Sequence, residues 1–126
     1  MSRPVLLDAS FIIDFDRETA QRQDGPAHRM MRALSGRTLV VSVVTAAEIL
    51  EGASDEEQTV AALRRFSIQG IHLAHGRRCA IVQRRSTRLG ENDAWLVATA
   101  QVLDADIVGA DRSAFERLGE RYLKYR

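Results

Sequence analysis

The segment at residues 5–10 constrains the fold more than any other stretch of the chain. Three apolar residues run directly into Asp8, and a small residue and a hydroxyl follow before the apolar run resumes at Phe11. A short apolar run that ends in a polar turn is typical of a strand buried on both faces. The next run predicts a helix, which Ser10 is well placed to cap. Asp8 is therefore expected at the carboxyl end of a buried strand, where parallel α/β sheets bind their ligands.

Strand and helix patterns alternate along the rest of the chain. The predicted strands are 4–8, 38–42, 71–73, 107–110 and, at an edge, 122–123. The predicted helices are 10–17, 24–36, 44–52, 54–70, 75–89, 92–104 and 113–118. This alternation favours crossover connections between parallel strands, with helices on both faces. We expect one domain over residues 1–126, an α/β fold built as a three-layer α/β/α sandwich with a mainly parallel central sheet.

The composition excludes several classes of protein. Acidic residues at Asp8 and Asp14 interrupt the apolar N-terminal stretch, so it does not have the pattern of a secretory signal. No apolar run approaches the roughly 20 residues that a membrane span needs. Cys79 is the single cysteine, which rules out a disulfide within the chain. We therefore expect a cytoplasmic protein with no membrane partner.

Four acidic residues occupy equivalent places in the predicted topology. Asp8 and Asp111 each follow a buried strand, Glu48 lies in the first turn of the helix after the second strand, and Asp93 begins the most apolar helix. Strand carboxyl ends and the N-termini of neighbouring helices meet at one edge of a parallel sheet. The four carboxylates are therefore expected to converge.

Each acid also has an ordinary structural explanation. Thr45 and Glu48 have the spacing of a capping box, and Asn92, Asp93 or Asp111 could each cap a helix. Taken together, however, four carboxylates in one small cleft would repel one another unless a cation neutralised them. The hard divalent cations that prefer oxygen ligands, Mg²⁺ and Mn²⁺, are the natural candidates.

These residues also form four ordered motifs. They are Asp8 with Ser10; residues 42–52 with Glu48 and a closing Gly52; Asn92 and Asp93 with Ala98 and Ala100; and Gly109, Ala110 and Asp111 with Phe115. In their order and spacing the motifs resemble those of the PIN-domain ribonucleases, and in size the chain is most similar to the toxin ribonucleases of VapBC-type toxin–antitoxin pairs. One position departs from the pattern, because Gly109 stands where the fourth motif usually carries Ser or Thr.

The resemblance implies metal-dependent hydrolysis of RNA phosphodiester bonds at an Mg²⁺ or Mn²⁺ site. It implies catalytic roles for Asp8, Glu48, Asp93 and Asp111, with Asp8 and Asp93 as the principal metal ligands and Asp111 as a further one. Ser10 and Asn92 are expected to orient these carboxylates. The resemblance also implies a cognate antitoxin that blocks the cleft, and a homodimer.

Arginine supplies nearly all of the positive charge, since Lys124 is the only lysine. Arg77, Arg84 and Arg88 share one face of a predicted helix, and Arg112 adjoins Asp111. Arginine binds phosphate through a planar, bidentate fork, so these four residues are candidate contacts to RNA. A compositional bias, with a merely solvated arginine face, explains the same pattern.

Two other functions fit parts of the pattern. Asp8 could be phosphorylated in a phosphotransfer domain, but such sites generally use a lysine, and Lys124 is almost at the C-terminus. Position 10 carries Ser, so an Asp-x-Asp phosphatase motif is absent. A non-catalytic module that binds RNA or protein is the second alternative, and four acids in register argue against it. The histidines, His28, His72 and His75, adjoin no acidic motif, which disfavours an acid–base histidine pair.

Overall fold

Five short parallel strands form one sheet in the computed structural model, which describes residues 2–85, 90–110 and 121–126. The strands are β1 (Val5–Leu7), β2 (Leu39–Ser42), β3 (Ser67–Gln69), β4 (Asp106–Gly109) and β5 (Tyr122–Lys124). The helices are α1 (Ala9–Ala20), α2 (Pro26–Ala33), α3 (Val43–Glu51), α4 (Glu56–Leu63), α5 (Leu73–Arg85) and α6 (Glu91–Leu103).

The first strand lies in the middle of the sheet, whose order is β3-β2-β1-β4-β5. Every neighbouring pair is parallel, and Leu7 lies opposite Val108 at the carboxyl end of β1. Parallel strands connected by helices have both faces covered, and the central strand β1 is accordingly apolar and buried throughout. The α/β class with a parallel central sheet is confirmed.

Alternate residues of the strands enter two separate cores. Leu6, Val40 and Ile107 pack with α5 and α6 on one face of the sheet. Val5, Leu7, Val41 and Val108 pack on the other face with α1, α2 and α4. Successive strand residues point to opposite faces, so a single short strand serves both cores. The three-layer arrangement predicted from the sequence is therefore confirmed.

The helix starts follow local capping chemistry, but not always through the predicted residue. Pro26 occupies the first turn of α2, and the Asp55 side chain accepts a hydrogen bond from the backbone N–H of Gln58 to begin α4. Asp8, rather than Ser10, caps α1. Ser42 caps α3 by accepting from the Val44 N–H at 3.1 Å, so the capping box predicted for Thr45 and Glu48 does not form.

The predicted third strand at 71–73 is wrong. The strand is instead Ser67–Gln69, because the preceding helix ends at Leu63 and not near Gly70. As an edge strand, β3 is exposed, and Ile68 is its only apolar residue, which leaves no apolar pattern to recognise. Leu73 begins α5 and is 80% exposed, so it has no place in the sheet.

The remaining predictions agree in type with the structure. The buried helix predicted from residue 92 is α6, and the predicted edge strand is β5. The predicted helix 75–89 corresponds to α5, which begins two residues earlier, and its predicted end falls among residues 86–89, outside the described residues. The predicted helix at 113–118 also lies outside them. None of the described helices is long and apolar enough to cross a membrane.

A buried carboxylate joins α1 to α2. Glu18 accepts hydrogen bonds from the backbone N–H groups of Ala27 at 3.0 Å and His28 at 2.9 Å, and its carboxylate lies 2.7 Å from His28 Nδ1. Burial raises the pKa of Glu18, but the hydrogen bonds from His28 and Ala27 outweigh it and hold the pKa below its ordinary value of 4.5. Glu18, a residue of α1, thus accepts hydrogen bonds from backbone N–H groups at the N-terminus of α2, where such groups have no acceptor within their own helix.

Replacing Glu18 by Gln is expected to lower the free energy of unfolding at pH 7 by about 1–3 kcal/mol, because an amide cannot replace the carboxylate as acceptor for three N–H groups. A carboxyl group whose pKa is lowered by folding stabilises the protein above its ordinary pKa, and this contribution is lost as the pH falls through the lowered value. The difference between wild type and Glu18→Gln should therefore shrink below about pH 4.5. Urea unfolding at pH 7 and pH 3 measures this difference in the free energy of unfolding.

The matched control is Glu57→Gln, which changes an exposed carboxylate in the first turn of α4. Its effect should stay within about 0.5 kcal/mol at both pH values. An equal loss for Glu18→Gln at pH 7 and pH 3 would show that the ionised carboxylate is not the stabilising form.

Candidate functional site

Asp8 lies directly beyond the carboxyl end of β1 and is held there by its neighbours. Its backbone N–H donates to the Val108 carbonyl at 2.9 Å, which fixes the residue against β4. Its Oδ1 accepts from the Ala9 N–H at 2.8 Å, and its Oδ2 accepts from the Ser10 hydroxyl at 3.1 Å. The half-buried carboxylate is therefore oriented by the first turn of α1. Of the two roles predicted for Ser10, orienting Asp8 is therefore the one seen in the structure, and capping α1 is not.

Glu48 lies in the second turn of α3, and not in its first turn as the sequence predicted. Its pKa is raised from the ordinary value of 4.5, first by burial and then by the negative charges of Asp8, Asp93 and Glu51. A hydrogen bond from the Asn92 side chain acts in the opposite direction. Asp8 and Asp93 therefore lie close enough to Glu48, at the carboxyl edge of the sheet, for their charges to act on it.

Asp93 and Asn92 belong to the first turn of α6, whose N-cap is Gly90 without any side-chain hydrogen bond. Neither residue therefore acts as the helix cap. Asn92 donates its amide to Glu48, and one surface pocket is lined by Glu48, Gly90, Glu91, Asn92 and Asp93. The positive end of the α6 dipole favours a carboxylate in this turn.

Glu51 was not among the predicted site residues, although its negative charge also raises the pKa of Glu48. The signal was available, because residues three apart on a helix are neighbours. Three predicted site residues lie outside the described residues, namely Arg88, Asp111 and Arg112. Gly109, where the fourth motif departs from its pattern, lies against the side chain of Asp8.

Two residues of the predicted arginine stripe, Arg77 and Arg84, are solvent-exposed. Arg77 and Arg84 lie on α5, whose buried face consists of His75, Cys79 and Val82. Within the described ranges, neither arginine forms an ion pair. Both guanidinium groups are thus available to an anion, and the structure does not bring them into contact with the acidic residues.

The chemistry of the converging side chains fits a hard divalent cation. Asp8, Glu48 and Asp93 offer carboxylate oxygens, and no basic residue is among the described groups that shift the pKa of Glu48. In the described part of the chain, no three His, Cys, Asp or Glu side chains are already gathered as a ligand cluster. Mg²⁺ retains several waters and needs only one or two protein carboxylates, so this open arrangement suits it.

Repulsion at this edge should be measurable in metal-free protein. In the presence of EDTA, Glu48→Gln is expected to raise the midpoint of thermal unfolding, because it removes one negative charge and keeps an acceptor for Asn92. Relief on the order of 1 kcal/mol corresponds to roughly 3–5 °C for a chain of this size. Differential scanning calorimetry at pH 7.5 provides the measurement.

The control for this variant is Glu56→Gln, an exposed carboxylate in the first turn of α4, which should not raise the midpoint. An unchanged or lower midpoint for Glu48→Gln would mean that the carboxylates do not repel one another appreciably.

Comparison with known proteins identifies chains and a family with the same fold. The family model described as "PIN domain" matches residues 5–121. A toxin–antitoxin complex from Klebsiella pneumoniae contains a chain with a TM-score of 0.82 and 22% identity, over 97% of this chain and 98% of that one. A chain of VapBC-1 from nontypeable Haemophilus influenzae has a TM-score of 0.69 and 22% identity, over 96% of this chain and 97% of that one. A chain of DNA-bound VapBC from Salmonella typhimurium has a TM-score of 0.73 and 18% identity, over 99% of this chain and 100% of that one. No curated protein sequence matches the chain significantly.

Proposed function

The chain belongs to the PIN domain family, and we propose that it is a metal-dependent endoribonuclease that acts as the toxin of a type II toxin–antitoxin pair. One observation carries the proposal: Asp8 and Asp93 lie close enough to Glu48 at the carboxyl edge of the parallel sheet that their charges, after burial, raise its pKa. Carboxylates that repel one another in an open groove are typical of a site completed by a cation.

The side chains divide the work of such a site between them. Asp8 and Asp93 are proposed as the principal ligands of Mg²⁺ or Mn²⁺, and Glu48 acts directly or through a water molecule. Ser10 and Asn92 hold two of these carboxylates in place by donating to Asp8 and Glu48. Asp111 remains a predicted fourth acid. When bound, the cation neutralises the phosphodiester and lowers the pKa of the attacking water.

Exposed arginines are the proposed means of holding the RNA strand. Arg77 and Arg84 lie seven residues apart on α5, which places them on one face two turns apart. Neutralising backbone phosphates gives affinity without strong sequence preference. Arg88 and Arg112 remain predicted contacts of the same kind.

The toxin role also includes two protein partners. Several similar structures are described as toxin–antitoxin complexes, which supports a cognate antitoxin for this chain. We place its inhibitory contact at the acidic edge, because covering Asp8 and Glu48 would exclude an RNA phosphate. A basic side chain suits that contact, since the edge carries several carboxylates. A homodimer in the cytoplasm completes the proposal.

Cleavage of labelled single-stranded RNA tests the proposed reaction. Wild-type protein should cut the RNA with 5 mM Mg²⁺ or Mn²⁺, EDTA should abolish cutting, and Asp8→Asn should lower the rate by about 10³-fold or more because a principal ligand is lost. Glu57→Gln changes an exposed carboxylate that lines neither of the pockets bordered by Glu48, and it should cut at the wild-type rate. Unchanged cutting by Asp8→Asn would refute the assigned chemistry.

Salt-dependent binding tests the arginine contacts. With a non-cleaving Asp8→Asn background, Arg77→Ala with Arg84→Ala should weaken RNA binding by roughly tenfold in low salt. The slope of log K against log salt should become shallower by about 1.4 if each arginine contacts one phosphate. Fluorescence anisotropy at four salt concentrations gives both quantities.

A double variant of equal charge serves as the control. Arg29→Ala with Arg64→Ala removes two exposed arginines from α2 and α4, which lie in the opposite helical layer. If this pair lowers affinity and slope as much as the α5 pair, net charge rather than the α5 stripe determines binding.

A further inference from the structure

The side chain of Tyr122 reaches the candidate metal site from the edge of the sheet. Tyr122 lies opposite Ile107 in the parallel pairing of β5 with β4. Two residues further along β4 on the same face is Gly109, which has no side chain. The Tyr122 ring packs against the core formed with α5 and α6, and its hydroxyl is buried.

The space above Gly109 is shared by the Tyr122 hydroxyl and the Asp8 carboxylate. A Cβ atom at position 109 would lie 3.1 Å from Tyr122 Oη, 3.1 Å from Asp8 Oδ2 and 3.1 Å from Asp8 Cβ. All three distances are shorter than ordinary contacts between a Cβ and a neighbouring heavy atom. Any side chain at position 109 would therefore compete with both groups for the same volume.

We propose that Tyr122 is a positioning residue for Asp8, with its phenol hydroxyl occupying the space that a side chain at position 109 would otherwise fill. Gly109 and Tyr122 then act as a matched pair. The glycine admits the hydroxyl, and the hydroxyl limits the rotation of the carboxylate, which Ser10 also contacts. This inference rests on the proposed function, because it assigns the pair to the metal site.

The chemistry favours a hydroxyl at this point rather than a carbon. Asp8 Oδ2 already accepts from the Ser10 hydroxyl at 3.1 Å, and a carboxylate oxygen has room for a further donor. A buried polar environment keeps the ionised carboxylate favourable where an apolar one would not. The departure of Gly109 from the fourth motif is thus compensated by a hydroxyl from a neighbouring strand.

Reciprocal substitution tests the pairing. Isothermal titration with Mn²⁺ alone should be carried out on wild type, Tyr122→Phe, Gly109→Ser and the double variant. Tyr122→Phe should weaken Mn²⁺ binding by about tenfold because the hydroxyl beside Asp8 is lost. Gly109→Ser should weaken it similarly because the new side chain displaces Asp8. The double variant should bind within about threefold of wild type, because without the phenol oxygen the serine side chain can shift away from Asp8 into the vacated space, where its hydroxyl replaces that of the tyrosine.

A structural control separates positioning from folding. Leu123→Ala changes the next residue of β5, which packs in the other core. Leu123→Ala should lower the thermal unfolding midpoint in EDTA without changing Mn²⁺ affinity. Tyr122→Phe should weaken Mn²⁺ binding without lowering that midpoint. In the cleavage assay, Tyr122→Phe should lower kcat at saturating RNA and leave KM for RNA unchanged at saturating Mn²⁺.

The outcomes distinguish this inference from the proposed function. Absence of Mn²⁺ binding by the wild type would refute the proposed function and this inference with it. Normal wild-type binding with unchanged affinity in Tyr122→Phe, or a double variant as weak as the two losses combined, would refute the pairing alone.

Discussion

Mutual repulsion among carboxylates at one edge of a parallel sheet is the constraint on which the rest of the structure depends. Asp8 follows the central strand, and the charges of Asp8 and Asp93 act on Glu48 from neighbouring elements. Such a gathering costs stability in the metal-free protein, so folding must hold it by other means. The two apolar cores supply that stability, because alternate strand residues are buried on both faces of the sheet.

Neutral donors, rather than basic residues, organise the acids in the described structure. The Ala9 N–H and the Ser10 hydroxyl orient Asp8, and the Asn92 amide orients Glu48. Neutral donors fix carboxylate geometry without cancelling negative charge, which leaves the charge available for a cation. The ion pairs Arg37–Asp106 and Arg65–Asp16 involve other acids of the protein.

Sequence patterns predict the parts of this arrangement that depend on local or topological rules. The apolar run before Asp8 and the alternation of strands with helices were sufficient to predict a buried parallel sheet with Asp8 at its carboxyl end. Gly52 correctly predicted where α3 ends. The edge strand β3 was misplaced because its stability comes from pairing with β2, and no apolar periodicity in Ser67–Gln69 reports that pairing.

Contacts between distant segments could not be predicted in the same way. The roles of Ser10 and Asn92 as carboxylate-orienting groups followed from the family resemblance, but their exclusion as helix caps required the backbone geometry. The approach of Tyr122 to Asp8 depends on the register of β5 against β4, which the sequence does not determine. The Glu18 carboxylate at the start of α2 is likewise a long-range choice among many acids.

The central claim is that the acidic edge of the sheet is a divalent cation site. A crystal of the wild-type protein soaked in Mn²⁺ tests it most directly, because anomalous scattering locates manganese without reference to activity. The account predicts an anomalous peak within about 2.5 Å of carboxylate oxygens of Asp8 and Asp93, close to the side chain of Glu48. A fully soaked crystal with no peak between these residues, or with manganese bound only elsewhere, would contradict it.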